Sequence, residues 1–159
     1  PYYITSAIFR HLLEATQRPK RIVLTVQKEV AERICEKPGN MSLLALSIQV
    51  YGSPKITATI PAEAFYPAPR VDSAVIRVDM YSEPYIPSPL LNTFFHLAKA
   101  GFSQKRKTLR NSLSGGLQIS ADKASTLLAN SNIDPMRRAE TLSLEEWHTL
   151  SQNFSEKKY

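Results

Sequence analysis

Residues 55–80 read KITATIPAEAFYPAPRVDSAVIRVDM, two strand-like runs held apart by a proline-rich connector. In the first run Ile56, Ala58 and Ile60 alternate with Thr57 and Thr59; in the second, Ser73–Met80, β-branched residues dominate. Period-two alternation and β-branching both mark strands. The connector Pro61–Asp72 has no helical pattern, so the strands are expected to return on one another as a long hairpin. Upstream, Arg21–Gln27 (RIVLTVQ) reads as a buried strand, preceded by a helix from about Thr5 to Ala15 with Ile8, Leu12 and Ala15 on one stripe. From Lys28 to Glu36 the pattern is helical again, with Val30 and Ile34 one turn apart and Lys28/Glu32 and Glu29/Arg33 as opposite-charge pairs, until Pro38 and Gly39 stop it. The stretch Met41–Val50 fits either a helix capped by Ser42 and ended by Gly52 or a buried strand. Helices alternating with strands predict an α/β fold.

Downstream of the hairpin the pattern changes. Seven of the eleven prolines fall between positions 54 and 89, and Tyr81–Pro87 reads as a linker. Beyond it everything is helical. Ser88 is placed as an N-cap with Pro89 behind it, a second helix is expected from about Gln104 to Leu113 closed by Gly115 and Gly116, and a third from about Asp122 to Asn130. The fourth has a capping box, Ser143 with Glu146, and Leu142 positioned to staple onto Trp147. Two domains are therefore expected, 1–83 with the sheet and 84–159 as a small all-α domain.

Composition bounds the chemistry. The 159 residues are 43% hydrophobic and carry 20 Lys+Arg against 14 Asp+Glu, a formal charge of +6. That is globular, basic and compatible with a polyanionic partner. The five glycines have no G-x-G-x-x-G or Walker spacing, so no phosphate-cradling loop is expected in this chain. One cysteine, Cys35, and three scattered histidines, His11, His96 and His148, support neither a disulfide framework nor a sequence-local metal site; Cys35 is expected in the core, the histidines are assigned no function, and a reducing, cytoplasmic setting fits. No run of about eighteen apolar residues exists that could cross a membrane. The sequence opens on Pro1-Tyr2-Tyr3-Ile4, with no signal-peptide pattern, and is expected to start in mid-fold.

Charge is uneven in one place. Between Glu83 and Asp122 there is no acidic residue, while Lys99, Lys105, Arg106, Lys107 and Arg110 all lie there. With the KRK run on the expected second helix, Arg106 and Arg110 would share a face and Leu109 and Leu113 would anchor another. Such a surface suits phosphates better than a merely solvated face, which usually intersperses acids. Arg137 and Arg138 form a weaker patch diluted by Glu140. Aromatic residues sit at two turns, Tyr2-Tyr3 and Phe65-Tyr66 between prolines; a planar base could be sandwiched between two such rings, although spacing alone does not bring them together.

Several blocks, the opening PYYITS, LTVQKEVAERI, FYPAPRVDSAV, KAGFSQKRKTLRNSL and RRAETLSLEEW, resemble the bacterial small-subunit rRNA adenine dimethyltransferase family of the KsgA type. The resemblance runs from position 1 to about Leu150 and implies a Rossmann-like methyltransferase sheet, of which this chain would hold the second half, one strand plus a C-terminal hairpin with flanking helices. It implies S-adenosylmethionine as cofactor and small-subunit rRNA in an assembling 30S-type particle as partner, with no metal and no membrane. The family's catalytic motif reads Asn-(Leu/Ile)-Pro-Tyr, and this sequence opens on its third letter. The asparagine and the glycine-rich cofactor loop would lie upstream, so the chain alone is expected to be inactive, to lack cofactor-binding residues and to risk self-association through an exposed sheet edge.

The resemblance also implies site roles. The Pro1 carbonyl would accept a hydrogen bond from the adenine amino group, Tyr2 would stack on the ring, and Phe65, which opens the F-x-P-x-P-x-V-x-S loop, would cover its other face. Adenine N6 is a poor nucleophile because its lone pair is delocalised; acceptors that localise the pair, plus positioning, are what the transfer needs. Lys99, Lys105, Arg106, Lys107, Arg110, Arg137 and Arg138 would face rRNA. Two rival readings stay open: the related antibiotic-resistance enzymes acting on large-subunit rRNA, and a non-catalytic RNA-binding, ribosome-assembly or transcription-factor module.

Overall fold

The computed structural model describes residues 2–157, so Pro1, a candidate site residue, lies outside the described residues. The chain is α/β and divides into two compact units, residues 1–36 with 44–85, and residues 37–43 with 86–159.

In the first unit a single-turn 3-10 helix at Tyr2–Ile4 leads into α1 (Thr5–Leu13), followed by β1 (Arg21–Gln27), α2 (Lys28–Ile34), α3 (Leu43–Gln49), β2 (Gly52–Ile60) and β3 (Ser73–Met80). β3 is the central strand, antiparallel to both neighbours, and the order is β1-β3-β2. The expected hairpin of β2 and β3 is present. α2 lies across the strands, burying Ala31 and Ile34 against a sheet face formed by Ile22, Val26, Ile76 and Val78. The opposite face is polar: Asp79 on β3 holds both Arg21, at 2.6 Å, and Arg77, at 2.9 Å. The Arg21 hydrogen bond lowers the Asp79 carboxyl below its ordinary range.

Five local expectations need correction. β1 is amphipathic, not buried throughout, because only one face of the antiparallel sheet is covered; Val23 is 55% exposed. In α1 the buried row is Thr5, Phe9 and Leu13, one residue on from the expected stripe, because the large Phe9 ring sets which face turns inward. In β2 the alternation breaks at a bulge: Ile56 pairs with Ile76 but Ala58 with Val75, which turns Ala58 outward. Cys35 is half-buried, outside the core, and burial pushes its thiol upward against the opposing hydrogen bond with the Ile56 backbone. Within the stretch 41–50, Leu43–Gln49 resolves as helix rather than strand, and Gly52 does not end it. Gly52 starts β2, where a Cβ would stand 2.7 Å from the Asp79 carbonyl oxygen.

The second unit contains α4 (Ser88–Phe102), α5 (Leu109–Leu117), α6 (Ala121–Asn130), a 3-10 turn at Ala139–Thr141, and α7 (Leu144–Lys157). Residues 37–43 belong with it because the amides of Gly39 and Met41 both donate to the Glu140 carbonyl, each at 3.0 Å. The core forms where α4 meets α5 and α7, with Trp147 stacked on Phe102 and edge-on to Phe94. α7 starts as expected: the Ser143 amide donates to Glu146 at 2.8 Å, the Glu146 amide donates to Ser143 Oγ at 3.2 Å, and Leu142 and Trp147 are fully buried.

The glycine pair in α5 has a different job from the one expected. The helix runs through Gly115 and Gly116 to Leu117, and Gln118, at φ 56°, supplies the left-handed cap. At Gly116 a Cβ would stand 2.6 Å from Ala100 Cβ, so the missing side chain is what lets α5 cross α4. At the start of α4, Ser88 lies inside the helix and Pro87 takes the cap position.

Candidate functional site

The first unit holds an open cleft of ≈ 450 Å³, a size typical of small-molecule sites. Its lining includes Tyr2, Ile8, Leu24, Val26, Phe65 and Tyr66, so the two aromatic turns that spacing could not connect share one cavity. Each wall is fixed by local chemistry. Tyr2 sits on the 3-10 turn before α1, where Thr5 Oγ1 donates to its carbonyl at 2.9 Å. The Tyr2 phenol hydrogen-bonds the hydroxyl of Ser73, fully buried at the start of β3. The hydroxyl pair ties the ring of this cleft-lining residue to the start of β3.

On the connector between β2 and β3, Phe65 follows a 3-10 turn at Ala62–Ala64 and donates its amide to the Ala62 carbonyl at 3.2 Å. Asp72 closes the loop, accepting from the Ala62 amide at 3.1 Å through Oδ1 and from the Lys28 amide at 3.0 Å through its carbonyl. The Tyr66–Pro67 peptide is cis. Leu24, Thr25 and Val26 line the cleft from the end of β1. Its polar side-chain groups are hydroxyls, and among the described residues no carboxylate, amine or imidazole lines it. The arrangement can hold a flat, largely apolar ring between aromatic walls, and what it contributes chemically is orientation. The sequence names Ser73 as the start of a strand run and a motif letter but gives it no role; the signal is a hydroxyl opening a β-branched run next to the aromatic connector.

The cationic residues lie in the second unit, arranged differently from expectation. α5 begins only at Leu109, so Lys105, Arg106 and Lys107 stand on the turn between α4 and α5, all exposed, and Arg106 and Arg110 do not share a helical face. The turn is anchored on both sides: Lys107 N donates to Gln104 O at 3.0 Å, and Leu109 N and Arg110 N donate to the carbonyls of Arg137 and Pro135 at 2.7 and 3.2 Å. Lys99 is exposed on α4. Arg110 reaches Ala121 O at 3.4 Å and Asp122 at 3.9 Å.

Arg137 is committed internally. Its guanidinium makes a bidentate pair with Glu146, and Nε and Nη2 also donate to Thr141 Oγ1 at 3.1 Å and Thr141 O at 2.7 Å. Burial works to raise the Glu146 carboxyl, but Arg137 and the Ser143 amide outweigh it and hold the group below its ordinary value; the same hydrogen bond raises Arg137. Arg138 is more than half exposed, with Glu140 3.9 Å away.

Among the described residues no group of His, Cys, Asp and Glu is arranged to hold a metal, and no helix is long and apolar enough to cross a membrane. Residues 1–155 match the family described as ribosomal RNA adenine dimethylase. A protein of Dehalococcoides mccartyi named ribosomal RNA small subunit methyltransferase A is 48% identical over 155 residues, 98% of this chain and 53% of its own length. One of the same name from Desulfitobacterium hafniense is 42% identical over 154 residues, 96% of this chain and 55% of its own. The chain thus spans about half the length of the curated relatives it matches. Among solved structures, a dimethyladenosine transferase from Plasmodium falciparum aligns over 99% of this chain and 65% of its own with a TM-score of 0.84 at 21% identity. The 23S rRNA methyltransferase ErmE aligns over 98% and 62% with a TM-score of 0.71 at 22% identity. At these identities the likeness is one of fold.

Proposed function

Because the chain belongs to the ribosomal RNA adenine dimethylase family, we propose that it forms the base-holding and RNA-docking part of an enzyme that dimethylates N6 of two adjacent adenosines in small-subunit rRNA. The observation that carries this reading is the cleft in which Tyr2, anchored by Ser73, shares one base-sized space with Phe65. The two rings stack on the target adenine, and the Pro1 carbonyl accepts a hydrogen bond from its amino group. Aromatic faces and hydroxyls, which line the cleft among the described residues, act by orienting the base. Residues 1–83 are the methyltransferase portion and 84–159 the helical rRNA-contacting portion, working in the cytoplasm on an assembling 30S-type subunit. In the latter, Lys99, Lys105, Arg106, Lys107 and Arg110 neutralise phosphates.

The methyl donor of the whole protein is S-adenosylmethionine, which supplies an electrophilic methyl group. The described residues hold no glycine-rich run to grip it: Gly52 and Gly116 serve close backbone crossings, Gly101 clears the Trp147 ring, Gly115 lies within α5, and Gly39, at φ 115°, stands alone in the turn ahead of α3. The 159-residue chain by itself therefore neither binds the donor nor methylates.

The test uses the protein that carries these residues, S-adenosylmethionine and small-subunit particles. N6-dimethyladenosine should form, and Tyr2→Ala or Phe65→Ala should slow it about 100-fold, the scale of losing a near-attack geometry. Tyr2→Phe, which keeps the ring and loses the Ser73 anchor, should lose less. Dimethylation confined to large-subunit RNA would favour the resistance-type reading, to which the name of the ErmE structure points; no methylation of either RNA would overturn the enzymatic reading.

A further inference from the structure

Tyr66 presents a large aromatic ring that the fold itself does not use. It lines the mouth of the cleft beside Phe65 yet is fully exposed, so it buries nothing in the native state. An exposed aromatic on a mobile loop would mean little, but this loop is held still. Pro61, Pro67 and Pro69 restrict its backbone, Ala64 N donates to Pro61 O at 3.0 Å, and Ala62 N is tied to Asp72. The ring is offered to solvent from a preorganised position, the arrangement that lowers the entropic cost of binding.

Phe65 and Tyr66 both line the cleft, but Phe65 is half-buried whereas Tyr66 is exposed. A base held against Phe65 therefore leaves the solvent-facing Tyr66 ring open to another. Resting on the adenosine-holding reading above, we propose that Tyr66 is a second stacking site, which takes the base of the nucleotide adjacent to the target adenosine in unpaired RNA. Every base has a π-face, so Tyr66 contributes affinity and register to any unpaired neighbour and does not read its identity.

The test compares Tyr66→Ala and Tyr66→Trp in the protein that carries these residues, on short single-stranded RNAs containing two adjacent adenosines, intact or abasic at one flanking position. Because Tyr66 is exposed, neither variant should change the thermal midpoint. Tyr66→Ala should raise KM for intact RNA about tenfold, within the range of one base–aromatic stack, and leave affinity for S-adenosylmethionine unchanged. Tyr66→Trp should restore KM. On RNA abasic at the stacked neighbour, the unmodified protein and Tyr66→Ala should become equal, the non-additivity that a direct contact requires. An unchanged KM for Tyr66→Ala, or the same tenfold loss at every abasic position, would overturn the second stacking site alone. Failure of the unmodified protein to methylate any RNA would overturn the adenosine-holding reading, and this site with it.

Discussion

Lys105, Arg106 and Lys107 stand exposed on the turn between α4 and α5 with no ion pair among the described residues. Arg137, in the same unit, gives four hydrogen bonds to Glu146 and Thr141. In sequence both are basic runs. The difference comes from what the surrounding chain offers. The KRK turn lies in the stretch from Pro84 to Ala121 that holds no acid, so nothing local can neutralise it. Arg137 lies nine residues before a glutamate whose place is already fixed by a capping box, and that preformed carboxylate captures it. The captured arginine also supports the free cations, because its backbone carbonyl accepts from the first amide of α5, where the basic turn ends.

The largest effect expected from this contrast is on RNA binding. Replacing Lys105, Arg106 and Lys107 together by Ala should leave the thermal midpoint unchanged and lower the slope of log affinity against log salt by about 2 to 3, at roughly 0.7–0.9 per phosphate contact. A salt titration of RNA binding checks it. An unchanged slope would mean that the exposed turn is only a solvated surface, and the contrast with Arg137 would carry no functional content.

Next in size is the loss of Arg137. Arg137→Ala should cost about 1–3 kcal/mol of stability in urea unfolding, the scale of charge-assisted hydrogen bonds, towards the lower end because both side chains are about 30% exposed. The pair also sets a pH dependence. Glu146 titrates below its ordinary value in the folded chain, so its contribution is complete above the unfolded carboxylate pKa of about 4.3 and is lost as pH falls through the lower folded value. Unfolding measured between about pH 6 and pH 3 should show a smaller loss in Glu146→Gln than in the unmodified chain, the remainder coming from groups such as Asp79. A Glu146→Gln variant with the same acid sensitivity would remove the pair as its source.

The same contrast explains what could be read in advance. Features set by residues close in sequence were legible: the capping box of α7, the β2–β3 hairpin, the punctuation by prolines. The glycines were misread because their constraint is tertiary. Gly116 matches a helix terminator locally, and only the neighbouring Ala100 backbone on α4 gives its real reason. The sequence pattern carries the second helix back to Gln104 through the basic turn, where Lys and Arg, good helix formers, give no local stop signal. The helix instead starts at Leu109, whose amide is satisfied by Arg137 O from a segment 28 positions away. At the cleft, the two aromatic turns were visible, but their meeting depends on β3 bringing Ser73 to Tyr2 across 71 residues. No spacing rule contains that contact.

Arg138 is the intermediate case and should give the smallest effect. Its guanidinium stands 3.9 Å from Glu140, at the outer limit of an ion pair and more than half exposed, so Arg138→Ala should change stability by less than about 0.5 kcal/mol. The Glu140 backbone is held by the Gly39 and Met41 amides, which keeps its carboxylate within reach of Arg138. A nearby fixed acid offsets part of the attraction to a phosphate. Arg138→Ala should therefore reduce the salt slope by less than any single substitution in the Lys105–Lys107 turn. An equal reduction would show that proximity of an acid does not decide which cations meet RNA, and that only full capture, as at Arg137, takes an arginine out of the interface.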